Sequence, residues 1–397
     1  MVTVTRDPDR YRVLPGEGYD GVVQVVADDF YGTGTLLYGG RAVLTSAHVL
    51  EGSRTVSVRM DTMAGQVTLQ ASNYTLHSLY DSSNANSDLA LVWLRQPAPI
   101  TAERSALYRE PNELGSDITM VGYGLTGEGL TGYVESSTEP AKRLAENRFD
   151  TTGEGLKAAF GSGIGWNPLP GSQLIIDFDN GTSATDALGV LMGLHDSGLG
   201  GREGMIAPGD SGGPAFIDNK IAGITTYAAT LSRNGQTTDV NDKLDSSFGE
   251  IAGFQRVSHY QQWIDQSVRQ MHPNAPTRPE DVITSVPEGD TGTQFVYFLL
   301  EFNGVRNDPA QRLSVDYTTR DGSANAGEDY LPVADTLILY TGETQAAIAV
   351  EVIGDDIAEP DETFYLDVYN PVGGSFGEGV LKLTAVRTLL DDDGWIA

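Results

Sequence analysis

The chain has 397 residues, 55 Asp and Glu against 25 Lys and Arg, a formal charge of −30, and no cysteine. That negative surplus excludes a polyphosphate partner such as nucleic acid, and the missing thiols exclude disulfides, thiolate metal sites and cysteine nucleophiles. A hydrophobic content of 40% excludes a disordered chain, and the length calls for more than one core.

The first residues, MVTVTRDPDRYRVLPGEG, hold no apolar stretch of the signal-peptide kind, so residues 1–20 read as a lead-in or pro-segment. No run of about eighteen apolar residues occurs anywhere, so no membrane span is expected. From residue 21 to about 255 short apolar runs alternate with Gly-rich turns. The runs include Val22–Val26, Ala42–Ala47, Leu89–Leu94, Ile118–Gly124 and Ile221–Tyr227. This rhythm predicts an all-β barrel or sandwich. A helix is predicted over residues 258–271, where Tyr260, Trp263, Ile264, Val268 and Met271 recur at helical spacing. Ser258 is its expected N-cap and Pro273 its stop. Residues 272–281 hold three prolines and read as a semi-rigid linker. Strands resume from 282 with acidic loops, a second domain to residue 397.

The sharpest motif is Gly209-Asp210-Ser211-Gly212-Gly213-Pro214. Glycines around a serine allow a tight turn and close approach of the backbone to a substrate. Two successive amides then face a carbonyl oxygen that gains charge. A serine hydroxyl needs a base to become a nucleophile. Among five histidines, His48 follows a buried-looking strand in TSAHVL. Asp88 opens the apolar run Asp88–Val92 and is the candidate carboxylate to orient it. The bland alternatives are a Gly-rich hairpin and an ordinary turn aspartate.

TSAHVL, SDLALVWL and GDSGGP, in that order, resemble the three signature segments of the chymotrypsin/trypsin family of serine peptidases (peptidase S1). The likeness covers residues 13–271. It implies two packed β-barrels with the active site between them and the order His, Asp, Ser. It also implies Ser211 as nucleophile, His48 as general base and acid, Asp88 as its orienting partner, and the Gly209 and Ser211 amides as oxyanion hole. No cofactor is needed for that chemistry. By the same likeness Met205, Thr226, Tyr227 and Ala228, with Ala252, would line the pocket for the residue before the cut. No carboxylate stands among them, so small or medium apolar side chains are the expected preference. His195, in HDSG, is given a structural role. Arg12-Val13 resembles a zymogen activation site, the freed Val13 ammonium then pairing with Asp210.

Seven strands are predicted in the second domain: 282–286, 294–302, 312–318, 336–340, 345–354, 362–369 and 379–390. Antiparallel alternation puts three acidic segments at one end. These carry Asp329, then Asp355, Asp356, Glu359, Asp361 and Glu362, then Asp391, Asp392 and Asp393. They are either solvated loops or ligands for a hard cation, which takes six to eight oxygens. SVPEGD, VDYTTRDGSANAGEDY, GDDIAEPDETFYLDVYNP and LLDDDG resemble a Calx-beta domain over residues 281–394. That likeness implies an immunoglobulin-like sandwich binding Ca²⁺ through these loops, with Glu288 joining the set. Asp177, Asp179 and Asp186 are a weaker candidate for a second calcium site.

The composite expectation is a secreted, bacterial-type serine endopeptidase acting on protein or peptide substrates. Its calcium module would rigidify the tail or dock it on a cell surface or matrix. The rival is a non-catalytic adhesion or binding protein on a protease fold, for which an intact triad serves no purpose.

Overall fold

The computed structural model describes residues 1–3, 8–135, 140–196, 198–306, 308 and 310–393. The chain folds as two compact units, Met1–Leu37 with Arg41–Gln261, and Gln262–Ala397 with Tyr38–Gly40. No described helix is long and apolar enough to cross a membrane.

In the first unit six strands close into a barrel. Their order is Val22–Ala27, Phe30–Leu36, Ala42–Thr45, Ala90–Leu94, Gly65–Leu76 and Val56–Thr62. Val56–Thr62 alternates buried and half-buried positions, the period of a strand with one face on a core. Ala90–Leu94 is buried throughout. Val23, Val25, Leu36, Val43, Val58, Met60 and Val92 fill the interior. The β-branched valines among them suit a pleated surface.

The second half is a seven-stranded sheet. It runs Arg143–Arg148, Asp117–Gly122, Pro214–Ile217, Lys220–Ala229, Ile251–Arg256, Gln173–Asp177 and Thr151–Thr152. Barrel and sheet form the two β-halves of a chymotrypsin-like fold. The helix Val257–Gln270 follows. It starts one residue earlier than expected, and Ser258 is not its cap. The Ser258 hydroxyl instead donates to Glu113 Oε1 at 2.5 Å in the interior.

Residues 1–3 depart from a loose lead-in. Val2–Thr3 is a strand between Thr126–Glu128, parallel, and Gly204–Met205, antiparallel. Met1 and Val2 are buried, which is what fixes so short an element.

The second unit is a seven-strand sandwich. One sheet runs Ser285–Pro287, Lys382–Leu390, Glu362–Val372, Leu313–Asp321 and Ala334–Leu339; the other pairs Gly292–Glu301 with Gln345–Gly354. Val296, Val350, Val352, Phe364 and Leu366 lie between the sheets. Tyr330 stacks on Phe364 with ring centroids 4.4 Å apart.

Candidate active site and carboxylate cluster

His48 lies in a single helical turn, Ala47–Leu50, directly after the strand Ala42–Thr45. Asp88 precedes the neighbouring strand Ala90–Leu94, so barrel pairing sets both side chains at one rim. The Asp88 carboxylate is 1% exposed and grips His48 twice. Oδ2 lies 2.7 Å from His48 Nδ1, and the His48 amide donates to Oδ1 at 2.8 Å. A carboxylate can only accept here, so Nδ1 is the donor of this pair and Nε2 is the nitrogen left facing a substrate. The His48 ring remains 34% exposed, open to the cleft.

The Gly209–Gly213 turn is built against this rim. Gly209 has φ +98°, and a Cβ there would lie 2.6 Å from the Tyr31 ring. Gly212 has φ +80°, and a Cβ there would lie 2.0 Å from Thr45 Oγ1 and 2.8 Å from the Ser46 amide. Only glycine fits both the dihedral and the space. Thr33 ties the turn down. Its amide donates to Ser211 O at 2.8 Å, and its hydroxyl donates to Gly209 O at 2.8 Å. Among the described residues neither the Gly209 nor the Ser211 amide has a protein acceptor. Both donors therefore remain for a ligand oxygen. Among the described residues no hydrogen bond joins His48 Nε2 to Ser211 Oγ. Such bonds are often long before a substrate arrives.

Asp210 is 2% exposed and fully committed. Gly124 N donates to Oδ1 at 2.8 Å, and Ala207 N donates to Oδ2 at 2.9 Å. The Met1 ammonium sits 3.0 Å from Oδ2 and donates to Leu125 O at 2.5 Å. Burial pulls the Met1 amine below its ordinary pKa, and the Asp210 charge pulls it back up. In the uncut chain Val13 is internal, with its amide donating to Lys142 O at 3.0 Å, and Arg12 bridges to Arg143.

Of the expected pocket residues, Met205 and Ala252 need correction. Met205 is fully buried, paired with Val2 and packed in the core with Met1, Ile176 and Phe178. It has no surface to offer a substrate. Ala252 is likewise buried in that core, and Ala228 packs on it half-buried. Thr226 is mostly buried, its hydroxyl donating to Ile224 O at 3.2 Å. Tyr227 points into the protein, its hydroxyl donating to Gln173 Oε1 at 2.9 Å. Its ring covers Gly253, where a Cβ would lie 2.1 Å from it.

His195 Nδ1 meets Asp186 Oδ2 at 2.9 Å, away from the His48 pair; Ser197 of the same HDSG run lies outside the described residues. Asp186 also caps the helix Ala187–Met192 through Gly189 N. Asp177 and Asp179 accept from Leu188 N and Gly181 N. These three aspartates do not gather as a metal-holding group among the described residues. Burial raises Asp177 to about 7 and, with the Asp177 charge, Asp150 to about 8.

In the second unit the parallel pairing of Ser285–Pro287 with Thr388–Leu390 carries Glu288 to the end of the last strand. Glu288 N donates to Leu390 O, and Gly289 N donates to Asp392 Oδ1 at 2.9 Å. Asn325 N holds Asp329 Oδ2 at 2.7 Å. Carboxylate oxygens of Glu288, Asp329 and Glu359 all lie within 4.8 Å of one another. Glu288 is buried, and its Oε1 has no hydrogen-bond partner. Burial, then the facing charges of Asp355, Asp329, Glu359 and Asp391, raise Glu288 to about 7. Burial and a shared contact with Asp329 raise Glu362 to about 7. Asp391 and Asp361 hold backbone amides of the cluster, Oδ1 of Asp391 taking Glu359 N and Oδ1 of Asp361 taking Asp391 N. Asp355 accepts from Ile357 N, burial lifts the Asp393 carboxyl, and Asp356 is exposed.

The family model described as Trypsin matches residues 15–146, and that described as Calx-beta domain matches residues 294–393. The first span holds His48 and Asp88 and ends before Ser211. Curated relatives include sodium/calcium exchanger 2 of Rattus norvegicus, 42% identical over 92 residues, 20% of this chain and 10% of the exchanger. Sodium/calcium exchanger 3 of Homo sapiens is 48% identical over 63 residues, 16% of this chain and 7% of that one. The chain thus spans 10% or less of the length of these relatives. Among solved structures, neuropsin, a serine protease of mouse brain, aligns at a TM-score of 0.46 and 18% identity over 65% of this chain and 98% of its own.

Proposed function

Given a trypsin-type domain and a Calx-beta domain in one chain, we propose that this protein is a secreted serine endopeptidase with a calcium-binding tail. One observation carries the peptidase reading. A buried Asp88 carboxylate lies 2.7 Å from His48 Nδ1, beside a serine turn whose Gly209 and Ser211 amides have no acceptor among the described residues. On this reading Ser211 Oγ attacks a peptide carbonyl as His48 Nε2 takes its proton. The Gly209 and Ser211 amides receive the oxyanion, and His48 returns the proton to the leaving amine. Labelling with a fluorophosphonate probe tests it. The expected adduct maps to Ser211; an unlabelled, folded chain returns the protein to the binding-scaffold class.

Asp210 supports the serine turn, because it adjoins both oxyanion donors and accepts from Gly124 N and Ala207 N. Leaving a buried charged network broken costs about 3–5 kcal/mol. Asp210→Asn is expected to label about 10²-fold more slowly or worse. Wild-type labelling rates in that variant would remove Asp210 from the support of the turn.

Glu288, Asp329 and Glu359, with Asp355, Glu362 and Asp391 around them, fit a hard divalent cation. The orphaned Glu288 Oε1 is the kind of atom that needs one. Bound Ca²⁺ would offset the mutual repulsion of these carboxylates. At a hundred times Kd such linkage is worth about 2.7 kcal/mol, a rise of roughly 10 °C in melting temperature. Calorimetry of the full chain is expected to show that rise for the sandwich transition and its loss in Glu288→Gln. The pH dependence follows from the raised carboxyls, near 7 for Glu288 and Glu362. Their protonated forms stabilise the metal-free fold at low pH, and that stability fades as pH rises through about 7. The calcium-induced rise is therefore expected to be larger at pH 8 than at pH 5.5.

A further inference from the structure

Resting on the peptidase reading, we propose that Gln173, Gln255 and Tyr260 are positioning residues that hold Asp88 in register with the serine turn. Asp88 ends a loop of the barrel, Asp81–Ser87, that has no regular structure to fix it. The loop is tight. Asp81 and Asn86 exchange backbone hydrogen bonds of 2.9 and 3.1 Å. Ala85 and Ser87 take left-handed dihedrals, φ +51° and +52°, which strain a residue with a side chain. Strained backbone persists only where its surroundings impose it.

The surroundings here come from the seven-stranded sheet and its following helix. Gln173 and Gln255 are register partners on adjacent strands, and both are fully buried. Gln173 Nε2 donates to Ala85 O at 2.9 Å and to Asn84 O at 3.2 Å. Gln255 Nε2 donates to the same Ala85 O at 2.7 Å. The Ser87 amide, one residue before Asp88, donates to Tyr260 Oη at 3.0 Å in the interior. The half of the fold that carries Ser211 thereby sets the position of Asp88, on the other half.

Two details favour positioning over packing. Gln255 Oε1 is buried without a partner, so the side chain leaves its acceptor unused to aim its donors at the loop and at Thr226 Oγ1. An apolar residue would fill the space without that cost. Gln173 also accepts from Tyr227, on the strand beside the cleft, so one side chain ties that strand to the Asp88 loop.

The experiment measures fluorophosphonate labelling of the full chain against pH, with final amplitude counting competent sites. Gln255→Met keeps the volume and removes the donors. It is expected to label about 10²-fold more slowly, the penalty of an ångström-scale misplacement. Its amplitude should stay at the wild-type level and its pH midpoint should move, since His48 loses a well-set carboxylate. Tyr260→Phe, which keeps the ring, is expected to change rate and midpoint in the same sense by a smaller factor. Wild-type rate and midpoint in both variants overturn the inference, as does a loss confined to amplitude in both. An unlabelled wild type overturns the peptidase reading itself, a result distinct from either.

Discussion

Ser211→Ala is expected to lower turnover of a peptide substrate about 10⁶-fold, the loss usual when a triad nucleophile is removed. The methyl side chain has no electrons to attack with, and His48 then has no proton to take. The turn itself should survive. Its shape depends on Gly209 and Gly212 and on the bonds from Thr33 to the Gly209 and Ser211 carbonyls, none of which uses Ser211 Oγ. The melting temperature should therefore hold while activity disappears. The two spare amides remain, so a residue of about 10³-fold over the uncatalysed rate should persist. A variant that keeps more than about a hundredth of wild-type turnover is incompatible with Ser211 as nucleophile.

Asp88→Asn is expected to lower kcat about 10⁴-fold with little change in KM. The asparagine fits the same space and can still meet His48. Its amide nitrogen, however, donates where the carboxylate accepted, at a position 2.7 Å from Nδ1. Nδ1 must then accept, and the proton moves to Nε2, the atom that has to be free for Ser211. The backbone bond from His48 N to Oδ1 is kept if the amide oxygen takes that side, so the fold should be retained. Steady-state kinetics with one peptide substrate reads the split. A rise in KM with kcat preserved would make Asp88 a binding element only.

The parts of the site legible in the sequence are those whose chemistry is local. GDSGGP announces its turn because Gly209 and Gly212 must take positive φ, a demand written in the residue type. The acidic runs 355–362 and 391–393 of the sandwich are legible for a similar reason, since strand alternation decides which loops share an end. Gln173 and Gln255 left a fainter mark, a polar residue inside an apolar strand. Periodicity registers such a residue without saying what it grips. Met205, by contrast, is a pocket residue only by the family likeness. It went to the core because Val2 pairs with it across a strand that nothing local predicts.

The sequence by itself determined two β-rich domains, the identity of the serine turn and the acidic end of the sandwich, each by short-range rules of period, turn and charge. The pairing of His48 with Asp88 was implied only by the likeness of their segments to the chymotrypsin/trypsin family. Tertiary structure alone decided which backbone amides meet Asp210, which way Tyr227 turns, and what holds the loop before Asp88. Those outcomes depend on which distant segments win a buried place. Gly124 reaches Asp210 across 86 positions of chain, and Gln255 reaches Ala85 across 170. At such separations the free energy of burial and hydrogen bonding is shared among many competing partners. No local pattern in the chain encodes the winner.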